Sequence, residues 1–116
     1  MLEPRIESAL VELQRENVVL YGVTADACVT ATALDLLELG YSTHLVVDAT
    51  TARRTPDRSV AIAAMRRAGV HITTFQSLVF DLIKSVEHPE FPSILPLLKD
   101  QSSTCEQLDF FTIPKI

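Results

Sequence analysis

The sequence predicts an α/β fold, a three-layer arrangement in which a parallel sheet carries helices on both faces. Three observations predict it. Helical and extended patterns alternate from Met1 to Val86 as helix–strand–helix–strand–helix–strand–helix. The strand candidates have unbroken apolar centres, such as Val18-Val19-Leu20 and Leu45-Val46-Val47, which suits strands covered on both faces. Gly40 and Gly69 close the two helices that lie between strands. Strand–helix–strand units cross over right-handedly, so the strands run parallel and their carboxyl ends share the rim where ligands bind.

Each element has its own warrant. Met1 to Arg15 predicts an amphipathic helix, with Pro4 near its first position and Ile6, Leu10, Val11 and Leu13 as its apolar stripe. Val18 to Tyr21 is the first strand, expected to be buried on both faces. Ala27 to Leu39 is the second helix, directing Val29, Ala33, Leu36 and Leu37 inward. Thr43 to Asp48 is the second strand, and Ala49 to Arg54 a loop. The third helix opens with Thr55 as cap and Pro56 at its first position, and runs to Ala68. Val70 to Phe75 is the third strand and Ser77 to Val86 the fourth helix.

Beyond His88 the pattern weakens. Pro89, Pro92 and Pro96 leave room for one short helix over Ile94 to Lys99, and residues 100–116 are expected to form a poorly ordered tail. The sheet itself poses a difficulty. Its first strand is apolar, yet one of its edges has no assigned neighbour, and such an edge pairs with something.

Composition narrows the functional classes. A chain of 116 residues holds one domain, and 47% hydrophobic with 22% charged residues is a globular balance. The net charge of −5 argues against nucleic acid as a partner, because Arg53, Arg54, Arg58, Arg66 and Arg67 are diluted by Asp57 and scattered. Two cysteines, Cys28 and Cys105, do not make a disulfide framework. No apolar run reads as a signal peptide or a membrane span, so the expectation is a cytoplasmic protein with no membrane partner.

The chemistry concentrates in Val18-Val19-Leu20-Tyr21-Gly22-Val23-Thr24-Ala25-Asp26-Ala27-Cys28-Val29. A buried strand meets a glycine-hinged turn, and a cysteine follows where a helix begins. Backbone N–H groups at a helix start favour a thiolate and can hold a developing oxyanion. Other candidates carry structural readings. His44, His71 and His88 lack the spacing of metal ligands, and Cys105 reads as a bystander thiol. Asp48 either lines the rim or caps a loop. Arg53, Arg54 and Arg58 read as solvated surface, and Phe110-Phe111 as part of the tail.

Taken together, these segments resemble the isochorismatase-like cysteine hydrolases. The resemblance rests on Gly22-Val23-Thr24-Ala25-Asp26-Ala27-Cys28-Val29, on Thr32 to Tyr41, on Val46-Val47-Asp48-Ala49, on Asp57-Arg58, on Met65 to Val70 and on Thr73-Thr74. His88-Pro89-Glu90-Phe91 looks most like the eukaryotic isochorismatase domain-containing branch. The resemblance implies a Rossmann-like isochorismatase fold of which residues 1–99 are the C-terminal portion, truncated at the N-terminal half. It implies Cys28 as nucleophile, a cis peptide at Val23–Thr24, and an oxyanion hole from the Thr24 and Cys28 N–H groups. Asp26, Ala27 and Asp48 would stand at the pocket rim. Such enzymes cleave amide or vinyl-ether bonds of a small-molecule substrate through a covalent thiol intermediate.

The same resemblance implies a general-base aspartate and a lysine upstream of Met1, and it places any metal ligands there too. No metal site and no cofactor is therefore expected within this chain, and the substrate is not legible. A second reading is a catalytically silent fragment or isoform acting by association. Its open sheet edge would be covered by a partner or by a second copy in a homo-oligomer.

Overall fold

The structure, a computed structural model, describes residues 2–107, with side chains described as far as Lys99. Its elements are α1 (Pro4–Leu13), β1 (Asn17–Gly22), a single π turn (Ala25–Val29), α2 (Thr30–Glu38), β2 (Ser42–Thr50), α3 (Thr55–Ala68), β3 (His71–Thr73), α4 (Phe75–Ile83) and α5 (Phe91–Gln107). The three strands are all parallel, in the order β1-β2-β3. This is the α/β sheet with helices that the alternation predicts.

Strand alternation decides which helix packs where. Leu45 and Val47 of β2 join Ala33 of α2 and Ala61, Ile62 and Met65 of α3 in one buried cluster, closed by Ala25, Val29 and Val70. The opposite side of β2 presents His44 and Asp48 to α4, where the Phe75 N–H donates to Asp48 Oδ1 at 2.9 Å. Both α2 and α3 end on a glycine of positive φ, +93° at Gly40 and +116° at Gly69. In each case the next residue turns its N–H back into the helix, Tyr41 to the Leu36 carbonyl and Val70 to the Met65 carbonyl. These bonds satisfy the last carbonyls and turn the chain into the next strand.

Several boundaries differ from the sequence expectation. Thr55 is the first residue of α3 rather than its cap, because the Arg58 N–H reaches the Arg54 carbonyl and extended Arg54 takes the cap position. β3 stops at Thr73 and α4 begins at Phe75, because the Thr74 hydroxyl accepts the Ser77 N–H and Asp48 takes that of Phe75. α5 absorbs the prolines expected to interrupt it, with Pro92 in its first turn and Pro96 inside, and Phe91 packs against Phe80 of α4. The expected tail begins within this helix. The backbone is helical to Gln107, while the Cys105 side chain and residues 108–116, including Phe110-Phe111, lie outside what is described.

The largest departure concerns α1 and β1. The α1 stripe is largely uncovered, since Ile6, Val11 and Leu13 are exposed and only Leu10 is partly buried, and β1 is half-buried rather than fully buried. Leu20 packs on the core, but Val19 is 40% and Tyr21 71% exposed. Periodicity recognises an apolar face; a covering layer must come from elsewhere, and on this side α4 packs against β2 while Val19 and Tyr21 of β1 stay exposed.

Candidate active site

The site is built at the carboxyl end of β1. The pairing of β1 with β2 is regular to Leu20–Leu45 and resumes at Gly22–Thr50. β2 therefore bulges between Val46 and Ala49. Gly22 takes φ +122°, which L side chains rarely adopt, and so the chain leaves the strand sharply. The Val23–Thr24 peptide bond is cis. Main-chain bonds then staple the turn. The Thr51 N–H donates to the Gly22 carbonyl at 3.1 Å, and the Ala25 N–H to the Thr51 carbonyl at 2.9 Å. The N–H groups of Ala27 and Val29 both converge on the Thr24 carbonyl at 3.2 Å, and Thr30 Oγ1 donates to the Ala25 carbonyl.

Cys28 does not sit in an ordinary α-helical turn, as expected, but inside the π turn, because Val29 reaches back five residues to Thr24. Such single turns recur at functional sites. Ala25 and Val29 are buried, whereas Asp26, Ala27 and Cys28 are exposed. The buried pair anchors the turn in the core and holds the thiol at the surface. Among the described residues no acceptor takes the Thr24 N–H and no side chain hydrogen-bonds the Cys28 sulfur. Beside the turn, a shallow cleft of about 350 Å³ is lined by Asp26, Thr30, Pro56, Asp57, Val60 and Ala61.

The remaining candidates are placed as follows. Asp48 stands at the end of β2 and holds the start of α4. Arg53 is exposed, and Arg54 forms an exposed ion pair with Asp57 at 3.8 Å. Arg58, expected at the solvated surface, is buried. Its Nε–H donates to the Thr50 carbonyl at 3.0 Å and its Nη2–H to the Val47 carbonyl at 2.6 Å. Burial lowers its pKa and nearby Asp48 opposes the shift. A signal was present in the sequence: Arg58, Ile62 and Met65 share one helical face, and that face is the buried one. The contributions of Thr50 and Thr51 carried no such signal, because a bulge leaves no period.

His44 and His71 lie at the opposite end of the sheet from Cys28. They pair across β2 and β3, with stacked rings 4.9 Å apart, and His44 Nε2 lies 3.0 Å from Asn17 Oδ1. His88 Nδ1 accepts the Glu90 N–H in a local turn. Among the described residues no group of three or more His, Cys, Asp or Glu gathers as for a metal ion. No described helix is long and apolar enough to cross a membrane.

A parallel α/β sheet with an exposed cysteine on a stapled turn at its C-terminal rim defines the class, an α/β protein that presents a thiol at the end of its first strand. Residues 1–77 match the family model described as the isochorismatase domain, and the chain belongs to that family. It is 41% identical over 98 residues to isochorismatase domain-containing protein 2 of Bos taurus, covering 84% of this chain and 48% of the relative. To isochorismatase domain-containing protein 1 of Salmo salar it is 41% identical over 100 residues, covering 85% of this chain and 35% of the relative. Among solved structures, the MAR1 ribonuclease of Caenorhabditis elegans superposes with a TM-score of 0.82 at 33% identity, covering 100% of this chain and 57% of that one. The chain thus spans half or less of the length of these two curated relatives.

Proposed function

We propose that this chain carries the nucleophile-bearing part of an isochorismatase-like cysteine hydrolase acting on a small amide or vinyl-ether substrate. For an amide, the Cys28 thiolate attacks the carbonyl carbon, and the charge developing on oxygen is held by the N–H groups of Thr24 and Cys28. Collapse breaks the C–N bond, the amine leaves with a proton, and water hydrolyses the thioester to restore the thiol. No carboxylate or lysine among the described residues hydrogen-bonds Cys28; in this reading the base is the aspartate that the family resemblance implies upstream of the described residues. The observation that carries the reading is the stapled turn. It exposes Cys28 while leaving the Thr24 N–H without a described acceptor.

The test is competitive alkylation of the full chain with iodoacetamide at neutral pH, read by peptide mass spectrometry. Cys28 is expected to react about tenfold faster than Cys105, its internal reference. Equal rates, or a faster Cys105, would overturn the reading.

A second reading is favoured by the uncovered apolar surface of α1 and β1: a catalytically silent fragment or isoform that acts through association, as a homo-oligomer or with a partner. A stable monomer at micromolar concentration in sedimentation velocity would exclude self-association. The C. elegans neighbour is named a ribonuclease, so RNA belongs in a substrate screen. The net charge of −5 and the burial of Arg58 oppose binding of a polyanion by this portion.

A further inference from the structure

Arg58 is the one buried basic side chain among the described residues, 6% exposed. A guanidinium is costly to bury unless its donors are satisfied. Here its donors go to main-chain carbonyls, those of Val47 and Thr50, rather than to a carboxylate. Val47 lies in the stretch where regular pairing fails, and Thr50 closes that stretch. Between Leu20–Leu45 and Gly22–Thr50, β1 advances two residues while β2 advances five, so carbonyls in this stretch need other donors. Arg58 supplies two, and Thr50 Oγ1 closes the arch on the Val46 carbonyl at 2.7 Å. Bulges of this kind re-aim chains beside active sites.

The residues that emerge from the bulge carry the nucleophile turn. Thr51, next to the clamped Thr50, accepts from Ala25 and donates to Gly22, the two residues that bracket the cis peptide. We propose that Arg58 is a positioning residue for Cys28: from inside the core it holds the β2 bulge, and the bulge fixes the turn that presents the thiol. This rests on the reading of Cys28 as nucleophile. Arg58 itself touches neither thiol nor substrate; it acts through Thr50 and Thr51.

The test uses the full chain with Arg58→Met, Arg58→Lys and, as a control, Ile83→Ala, which empties a buried position on α4 away from the turn. Two readouts are taken where each variant is folded: residue-resolved amide exchange, and the pH profile of Cys28 alkylation. In Arg58→Met, exchange at Ala25 and Thr51 is expected to rise about tenfold relative to that at Leu45 and Ile62, with an altered Cys28 profile. Arg58→Lys, with one compact head in place of a fork, is expected to restore part of both. Ile83→Ala should change neither ratio nor profile. The proposal is overturned if Arg58→Met leaves the exchange ratio at the wild-type value, or if Ile83→Ala changes it equally. Should Arg58→Met fail to fold, the same comparison is made with Arg58→Lys, and a wild-type ratio there overturns it too. Slow wild-type alkylation at Cys28 would instead sink the hydrolase reading, while exchange at Ala25 and Thr51 still judges the role of Arg58 in holding the turn.

Discussion

At the scale of single residues, two histidines show how an unremarkable pair gains a physical consequence from the fold. His44 and His71 are far apart in sequence, and the parallel pairing of β2 with β3 stacks them. Burial holds the His44 pKa below its ordinary 6.5, neighbouring His71 lowers it further, and Asp81 on α4 opposes both. A histidine whose folded pKa is depressed binds its proton first in the unfolded chain, so stability is lost as pH falls below about 6.5. Urea denaturation is therefore expected to show a lower midpoint at pH 5 than at pH 7. His44→Gln should flatten that difference, and a variant with the wild-type pH dependence would refute the assignment to His44.

At the scale of elements, helix starts are set by individual side chains rather than by propensity. α4 begins where it does because Thr74 accepts the Ser77 N–H at 3.2 Å and Asp48 accepts that of Phe75. Loss of a threonine cap costs about 1 kcal/mol. Thr74→Ala is expected to lower stability by roughly that amount in urea denaturation with an unchanged slope. A change within error would mean that Asp48 alone fixes the helix start. α3 differs, since its extended cap residue Arg54 makes no side-chain capping hydrogen bond and the helix is secured instead by its buried face and by Arg58.

At the scale of the whole molecule, the dominant feature is asymmetry of cover. One side of the sheet is sealed by α2 and α3, while β1 ends the sheet with Val19 and Tyr21 exposed and α1 carries an unburied stripe. An apolar strand edge promotes pairing, and charge on such an edge opposes it. Introducing lysine at both positions, Val19→Lys with Tyr21→Lys, is expected to shift sedimentation toward smaller species without lowering the thermal midpoint. Sedimentation identical to the wild type would show that this face is not where chains associate.

Much of this protein was legible in its sequence, for reasons that differ by level. Alternating periods, glycine stops and apolar strand centres determined the α/β class and the three parallel strands, because these depend on local geometry and on which faces must be buried. The placement of a cysteine in the turn after the first strand was equally local, and so was the resemblance that rests on the residues around it. Only the tertiary structure decided the rest. It placed Cys28 in a π turn, because Val29 bonds to Thr24. It buried Arg58, because β2 carries a bulge whose carbonyls require donors. It left β1 and α1 half-covered, because periodicity marks a face as apolar without saying what lies against it. Local patterns determine elements; contacts between residues distant in sequence determine what those elements hold in place.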